Sequence, residues 1–99
     1  MLEERRGDLA DVCARHGVRR LEVFGSAAMG RFDPVRSDLD FLVQFDTAPP
    51  AVMADRYFGL LEDLQVLFGL PVDLVMESAI RNPFFRQAVD QSRHLLYAA

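Results

Sequence analysis

The chain has one cysteine, Cys13, in 99 residues, so no intramolecular disulfide can form. No apolar run approaches the roughly 20 residues needed to span a bilayer. The stretch Met1-Leu2-Glu3-Glu4-Arg5-Arg6-Gly7 lacks the apolar segment of a signal peptide. A cytoplasmic protein without membrane association is therefore expected. Positive charge is also scarce: 11 basic against 15 acidic side chains give a net charge of −4 and a pI near 5.0. That balance argues against direct binding to DNA or RNA, which needs a basic footprint. It also means that any polyanionic ligand would need metal ions to neutralise it. Repeats and low-complexity tracts are absent. What remains, 51% apolar and 26% charged, is ordinary for one packed domain spanning 1–99.

Hydrophobic spacing divides the chain into alternating helices and strands. Residues 2–16 read as a helix, with Leu9, Val12, Cys13 and His16 at i, i+3, i+4 and i+7 and Gly17 closing it. Cys13 is a core residue on this reading, and His16, with no accompanying nucleophile, suits the helix C-terminus. Val18–Phe24 reads as a strand, broken by Gly25-Ser26, and Arg31–Ser37 as a loop turning at Asp33-Pro34. Asp38–Phe45 is a second strand. Its Leu39, Phe41, Val43 and Phe45 face the core, and Asp38, Asp40, Leu42 and Gln44 face the other way. Pro49-Pro50 precedes a helix over 52–68, whose Tyr57, Leu60, Leu61, Leu64, Leu67 and Phe68 form one stripe closed by Gly69. Leu70–Met76 is a third strand. Asn82-Pro83 opens a helix through Ser92, with Phe84, Phe85, Ala88 and Val89 as its inner face. Residues 94–97 close the chain as an extended tail or edge strand.

Three carboxylates stand out on this frame. Asp38 and Asp40, at i and i+2 of a strand, share a face. Asp73 interrupts an otherwise apolar strand, where a charge is costly unless it is used. If the second and third strands are neighbours, Asp40 and Asp73 project from the same face. Such a set can hold one or two Mg²⁺ ions, the arrangement used for in-line phosphoryl or nucleotidyl transfer. Asp73 is the best placed to accept the proton of an attacking hydroxyl. Gly25-Ser26 offers backbone N–H groups and a hydroxyl to phosphate oxygens. The plainer readings are a turn cap at Ser37-Asp38 and a solvated Asp40. An Asp-x-Asp pair alone says little. The ordered set of strand, Gly-Ser turn, Ser-Asp-x-Asp strand, helix and Asp-bearing strand is far more specific.

The segment Leu21-Glu22-Val23-Phe24-Gly25-Ser26-Ala27-Ala28, with Ser37-Asp38-Leu39-Asp40-Phe41-Leu42-Val43, resembles the minimal nucleotidyltransferases of the DNA polymerase β superfamily. In particular it resembles the MNT antitoxins encoded beside HEPN toxins. The resemblance extends to Val72-Asp73-Leu74-Val75 and to Asn82-Pro83-Phe84-Phe85-Arg86. It implies an α/β, two-layer nucleotidyltransferase fold, a small mixed β-sheet with helices packed on it. It implies nucleotide binding by Gly25 and Ser26, and a metal-holding catalytic triad of Asp38, Asp40 and Asp73. It implies Mg²⁺ as cofactor, ATP as substrate and a HEPN-type toxin as the partner that receives AMP on a hydroxyl. Two other functions compatible with such a chain are an antitoxin that masks its toxin by binding alone and a nucleotidyltransferase of a small-molecule hydroxyl. The chain departs from the family pattern at Met29, where relatives commonly carry Arg, a hydrogen-bond donor that Met cannot replace. A domain this short has no room for its own acceptor-binding module, which favours a macromolecular acceptor delivered by complex formation.

Overall fold

A computed structural model describes residues 2–26, 28 and 39–99. The expectations for Met29, for the loop at 31–37 and for Asp38 lie outside the described residues. Helix α1 spans Arg6–Arg15 behind a 3₁₀ turn, and strand β1 runs Val18–Phe24. Strand β2 is Leu39–Phe45, helix α2 Pro50–Phe68 and strand β3 Val72–Met76. A 3₁₀ turn at Glu77–Ala79 leads to helix α3, Pro83–Ser92, and strand β4, His94–Ala98.

The strands form one mixed sheet in the order β3-β2-β1-β4. β1 is antiparallel to both β2 and β4, while β2 and β3 are parallel. A parallel pair needs a crossover, and α2 supplies it. Period-two alternation then sorts the side chains. Leu21, Val23, Leu39, Phe41, Val43, Phe45 and Leu74 enter one core with Leu9, Val12 and Cys13 of α1 and Leu60 and Leu64 of α2. Tyr57 ties α2 to β3 by donating its hydroxyl to the Leu74 carbonyl at 2.6 Å. Phe24 and Leu42, on the opposite face, meet Val89 of α3. The mixed α/β architecture and the core face of the second strand, Leu39, Phe41, Val43 and Phe45, are as the sequence implied, and residues 94–97 fall in an edge strand.

Burial explains Cys13 and His16. The Cys13 thiol is fully enclosed, and desolvation pushes it up to about 12, so it is inert as a nucleophile at neutral pH. His16 clasps α1 to α2: its Nε2 lies 2.5 Å from Asp63 Oδ2, and Arg15 Nη1 donates to the same oxygen at 3.1 Å. The hydrogen bond to His16 holds the Asp63 carboxyl below its ordinary range. The imidazole fits because position 59 is glycine; a Cβ there would lie 2.7 Å from His16 Cε1.

Helix α3 corrects one expectation. Asn82 caps it, accepting from the Phe84 amide at 2.8 Å, and Pro83 takes the first helical position. Yet of the four residues expected on its inner face, only Val89 is buried. Phe84 is 80% exposed and Phe85 40%, the latter resting edge-on against Phe24 with ring centroids 6.0 Å apart. Helical spacing fixes which side of a helix is apolar but not how far along it the sheet reaches. α3 buries Val89 against the sheet and touches it again through Phe85, leaving Phe84 outside. Phe84→Ser is accordingly expected to change stability by less than about 0.5 kcal/mol. Leu60→Ala, in the packed core, should cost about 2–5 kcal/mol. Urea unfolding of the two variants checks the contrast. Among the described residues, no helix is long and apolar enough to cross a membrane.

Candidate active site

β1 ends where its pairing with β2 ends. The last paired residues are Phe24 and Asp40, and Gly25 turns the chain away at φ +73°, in the left-handed region that glycine enters without strain. Space as well as torsion demands glycine here, because a Cβ at position 25 would lie 2.7 Å from Asp40 Oδ2. The Gly25 amide donates to Ser92 Oγ at 2.9 Å. Half-buried Ser26 follows. The Gly-Ser turn and the Asp40 carboxylate, far apart in sequence, are thus neighbours.

The parallel ladder between β2 and β3 places Asp40 opposite Asp73. Directly paired residues point to the same side of a sheet, and adjacent strands lie about 4.8 Å apart. Phe24, Asp40 and Asp73 therefore form one row across β1, β2 and β3, on the face away from the α1–α2 core. Asp40 is half-buried and Asp73 exposed. Gly25, Ser26, Asp40 and Asp73 come together at one end of the sheet; Asp38 lies outside the described residues.

A second row, one pleat further in, pairs Glu22 with Leu42 and Leu42 with Val75. Glu22 is only 3% exposed. It is held by Arg93, whose Nε and Nη2 donate to Oε2 and Oε1 at 2.9 and 2.6 Å, and by Arg20 Nε at 2.9 Å. Arg93 also bonds Glu77 and, through Nη1, Asp90 Oδ1 at 2.8 Å. The Arg93 hydrogen bond is the main cause that keeps the Glu22 carboxyl below its usual range, against a desolvation that pushes the other way. Glu22 thus serves α3, not the open end of the face. Sequence reading passed over it. Glu22 carries a weaker form of the Asp73 signal, a carboxylate between Leu21 and Val23 in a strand that also holds Arg19 and Arg20. Ser92 carried no comparable signal.

Carboxylates and phosphate oxygens are the hard donors that Mg²⁺ takes, usually with one or two protein carboxylates and several waters. The Asp40–Asp73 pair fits that demand. Among the described residues, no group of three or more His, Cys, Asp or Glu side chains is placed to hold a metal ion. A groove of about 340 Å³ between α1 and α2, lined by Asp8, Asp11, Arg15, Asp63 and Val66 among others, lies on the other side of the sheet from Asp40.

Residues 9–96 match the nucleotidyltransferase domain family. The chain belongs to that family. The match spans the Gly25-Ser26 turn and all three aspartates. Among individual nucleotidyltransferases, the protein adenylyltransferase MntA of Thermococcus cleftensis is 41% identical over 68 residues, 69% of this chain and 65% of the relative. The solved structure of a candidate minimal nucleotidyltransferase superposes with a TM-score of 0.73 at 36% identity, covering 94% of this chain and 90% of the other. The Shewanella oneidensis complex of a tri-AMPylated HEPN toxin with its MNT antitoxin contains a chain of the same fold. Its TM-score is 0.66 at 18% identity, over 100% of this chain and 74% of that one.

Proposed function

We propose that this chain, as a single nucleotidyltransferase domain, is an antitoxin of the cytoplasm that transfers AMP from ATP to a hydroxyl of a HEPN-type toxin, with Mg²⁺ as cofactor. The observation that carries the reading is the Asp40–Asp73 pair standing in register beside the Gly25 turn. Two names support it: that of the MntA relative, a protein adenylyltransferase, and that of the complex in which a HEPN toxin carries AMP beside its MNT antitoxin. Asp40, Asp73 and, by resemblance, Asp38 are the residues that would hold Mg²⁺. When bound, the ion neutralises the triphosphate and the charge that develops at the transferred phosphorus.

The chain's own groups divide the remaining work. The Ser26 hydroxyl and the amides after it bind the phosphates, since the Gly25 amide is already engaged by Ser92. Asp73, exposed at the sheet edge, accepts the proton of the incoming hydroxyl. The hydroxyl oxygen bonds to the α-phosphorus, the bond from that phosphorus to the β-phosphate oxygen breaks, and pyrophosphate leaves.

The test mixes the protein with the product of its neighbouring gene, ATP and Mg²⁺, and measures intact masses. The partner is expected to gain whole AMP units, and Asp38→Asn should abolish the gain. Tight binding with no mass change would overturn the reading in favour of neutralisation by masking. AMP transfer to a small hydroxylated metabolite without any partner would overturn it in favour of a small-molecule enzyme.

A further inference from the structure

We infer that Ser92, the last residue of α3, is a positioning residue of this site: its hydroxyl sets the orientation of the Gly25 turn and, through it, the phosphate cradle. The inference rests on the nucleotidyl-transfer reading of the site and adds a residue that the family motif does not contain.

Three contacts from residues 89–93 reach β1 and the turn that follows it. Val89 packs on Phe24, Arg93 grips Glu22 through two hydrogen bonds, and Ser92 Oγ receives the Gly25 amide at 2.9 Å. The first two fix where the end of α3 lies. The third acts on the turn itself. Ser92 Oγ also donates to the Ala88 carbonyl at 3.2 Å, with the Val89 carbonyl at 3.5 Å. A hydroxyl has one proton, so giving it to the helix leaves a lone pair aimed at Gly25. The polarity of the contact is fixed, and the two bonds reinforce one another.

Gly25 needs such a partner. It lies beyond the last β1–β2 pair, and among the described residues its N–H is given to the Ser92 hydroxyl. Glycine at φ +73° is also the least restrained residue to place at a ligand-binding turn. The Ser92 bond fixes the Phe24–Gly25 peptide plane. That plane sets the course of the chain into Ser26, and it holds the Gly25 Cα against the Asp40 carboxylate. Ser92 therefore connects α3 to both halves of the site, the phosphate turn and the carboxylate row, without touching substrate.

The test compares Ser92→Ala with Ser92→Thr, which keeps the hydroxyl, and uses a non-hydrolysable ATP analogue with Mg²⁺ in the absence of toxin. Ser92→Ala is expected to weaken analogue binding about tenfold, as losing one hydrogen bond of about 1.4 kcal/mol would. The Gly25 amide of the ligand-free protein should exchange with solvent about tenfold faster, by the same relation. Ser92→Thr should restore both and recover the wild-type thermal unfolding midpoint. Equal analogue affinity in wild type and Ser92→Ala overturns the inference, as does a Gly25 amide whose exchange is unmoved. A weakened Ser92→Ala together with no AMP on the toxin upholds it while the choice of acceptor fails. A wild-type chain that binds no analogue overturns both.

Discussion

Asp40→Asn is expected to lower AMP transfer by about a thousandfold or more, which is about 4 kcal/mol of barrier, while leaving the fold in place. The substitution keeps the shape of the side chain, so the Gly25 Cα that lies against it loses no room. What disappears is the negative charge that, beside Asp73, makes the pair a site for a divalent cation. Adding Mg²⁺ should raise the midpoint of the wild type and not that of Asp40→Asn. Intact-mass assays of the partner, with unfolding scans with and without Mg²⁺, measure both halves.

Glu22→Ala is expected to be the most destabilising change on the face that bears α3, at about 3 kcal/mol or more. Removing one partner of a buried ion pair strands the other, and the loss typically runs to several kcal/mol. Here it would leave Arg93, whose remaining partners are Glu77 and Asp90, without the carboxylate that accepts two of its bonds. The same cluster predicts acid lability. Arg93 holds the folded Glu22 carboxyl below its unfolded value. The unfolded chain therefore binds the proton first, and stability present above about pH 4.3 is lost as the pH falls towards the lower folded value. Asp63, lowered by His16, titrates with the same sign. Urea midpoints from pH 7 down to pH 3 should fall steeply in the wild type and less so in Glu22→Gln, which retains the shape but cannot titrate.

Local pattern carried much of this molecule. Alternation assigned Leu39, Phe41, Val43 and Phe45 to the core and Asp40 to the open face, and the lone Asp73 marked β3 before its neighbour was known. Those inferences rest on period two within a strand, which tertiary contacts did not override. Contacts between distant segments were another matter. Nothing in Gln91-Ser92-Arg93 indicates that it reaches back to Glu22 and Gly25, because the partner of a polar side chain depends on where a helix lands, not on its own spacing. Phe84 departs for a related reason: it belongs to the apolar stripe, but α3 meets the sheet through Phe85 and Val89 and leaves Phe84 exposed. Glu22 was partly legible as a carboxylate in a largely apolar segment, but what covers its face of the sheet, Val89 and Arg93, arrives from α3 and the residue after it.

The strand order also bears on how the protein is made. β1 lies between β2 and β4, so one of its two partners is the last described element to leave the ribosome. Until then, β1 has an open edge and Glu22 has no Arg93, a combination that invites aggregation or proteolysis of the nascent chain. Non-local pairings of this kind close slowly. When residues 89–98 do arrive, they supply in one step the edge strand, the counter-charge for Glu22 and the hydroxyl for Gly25. A chain synthesised as far as the third aspartate would hold every proposed metal ligand and still lack an ordered site. Folding and competence are completed together, once residues 89–98 have been made.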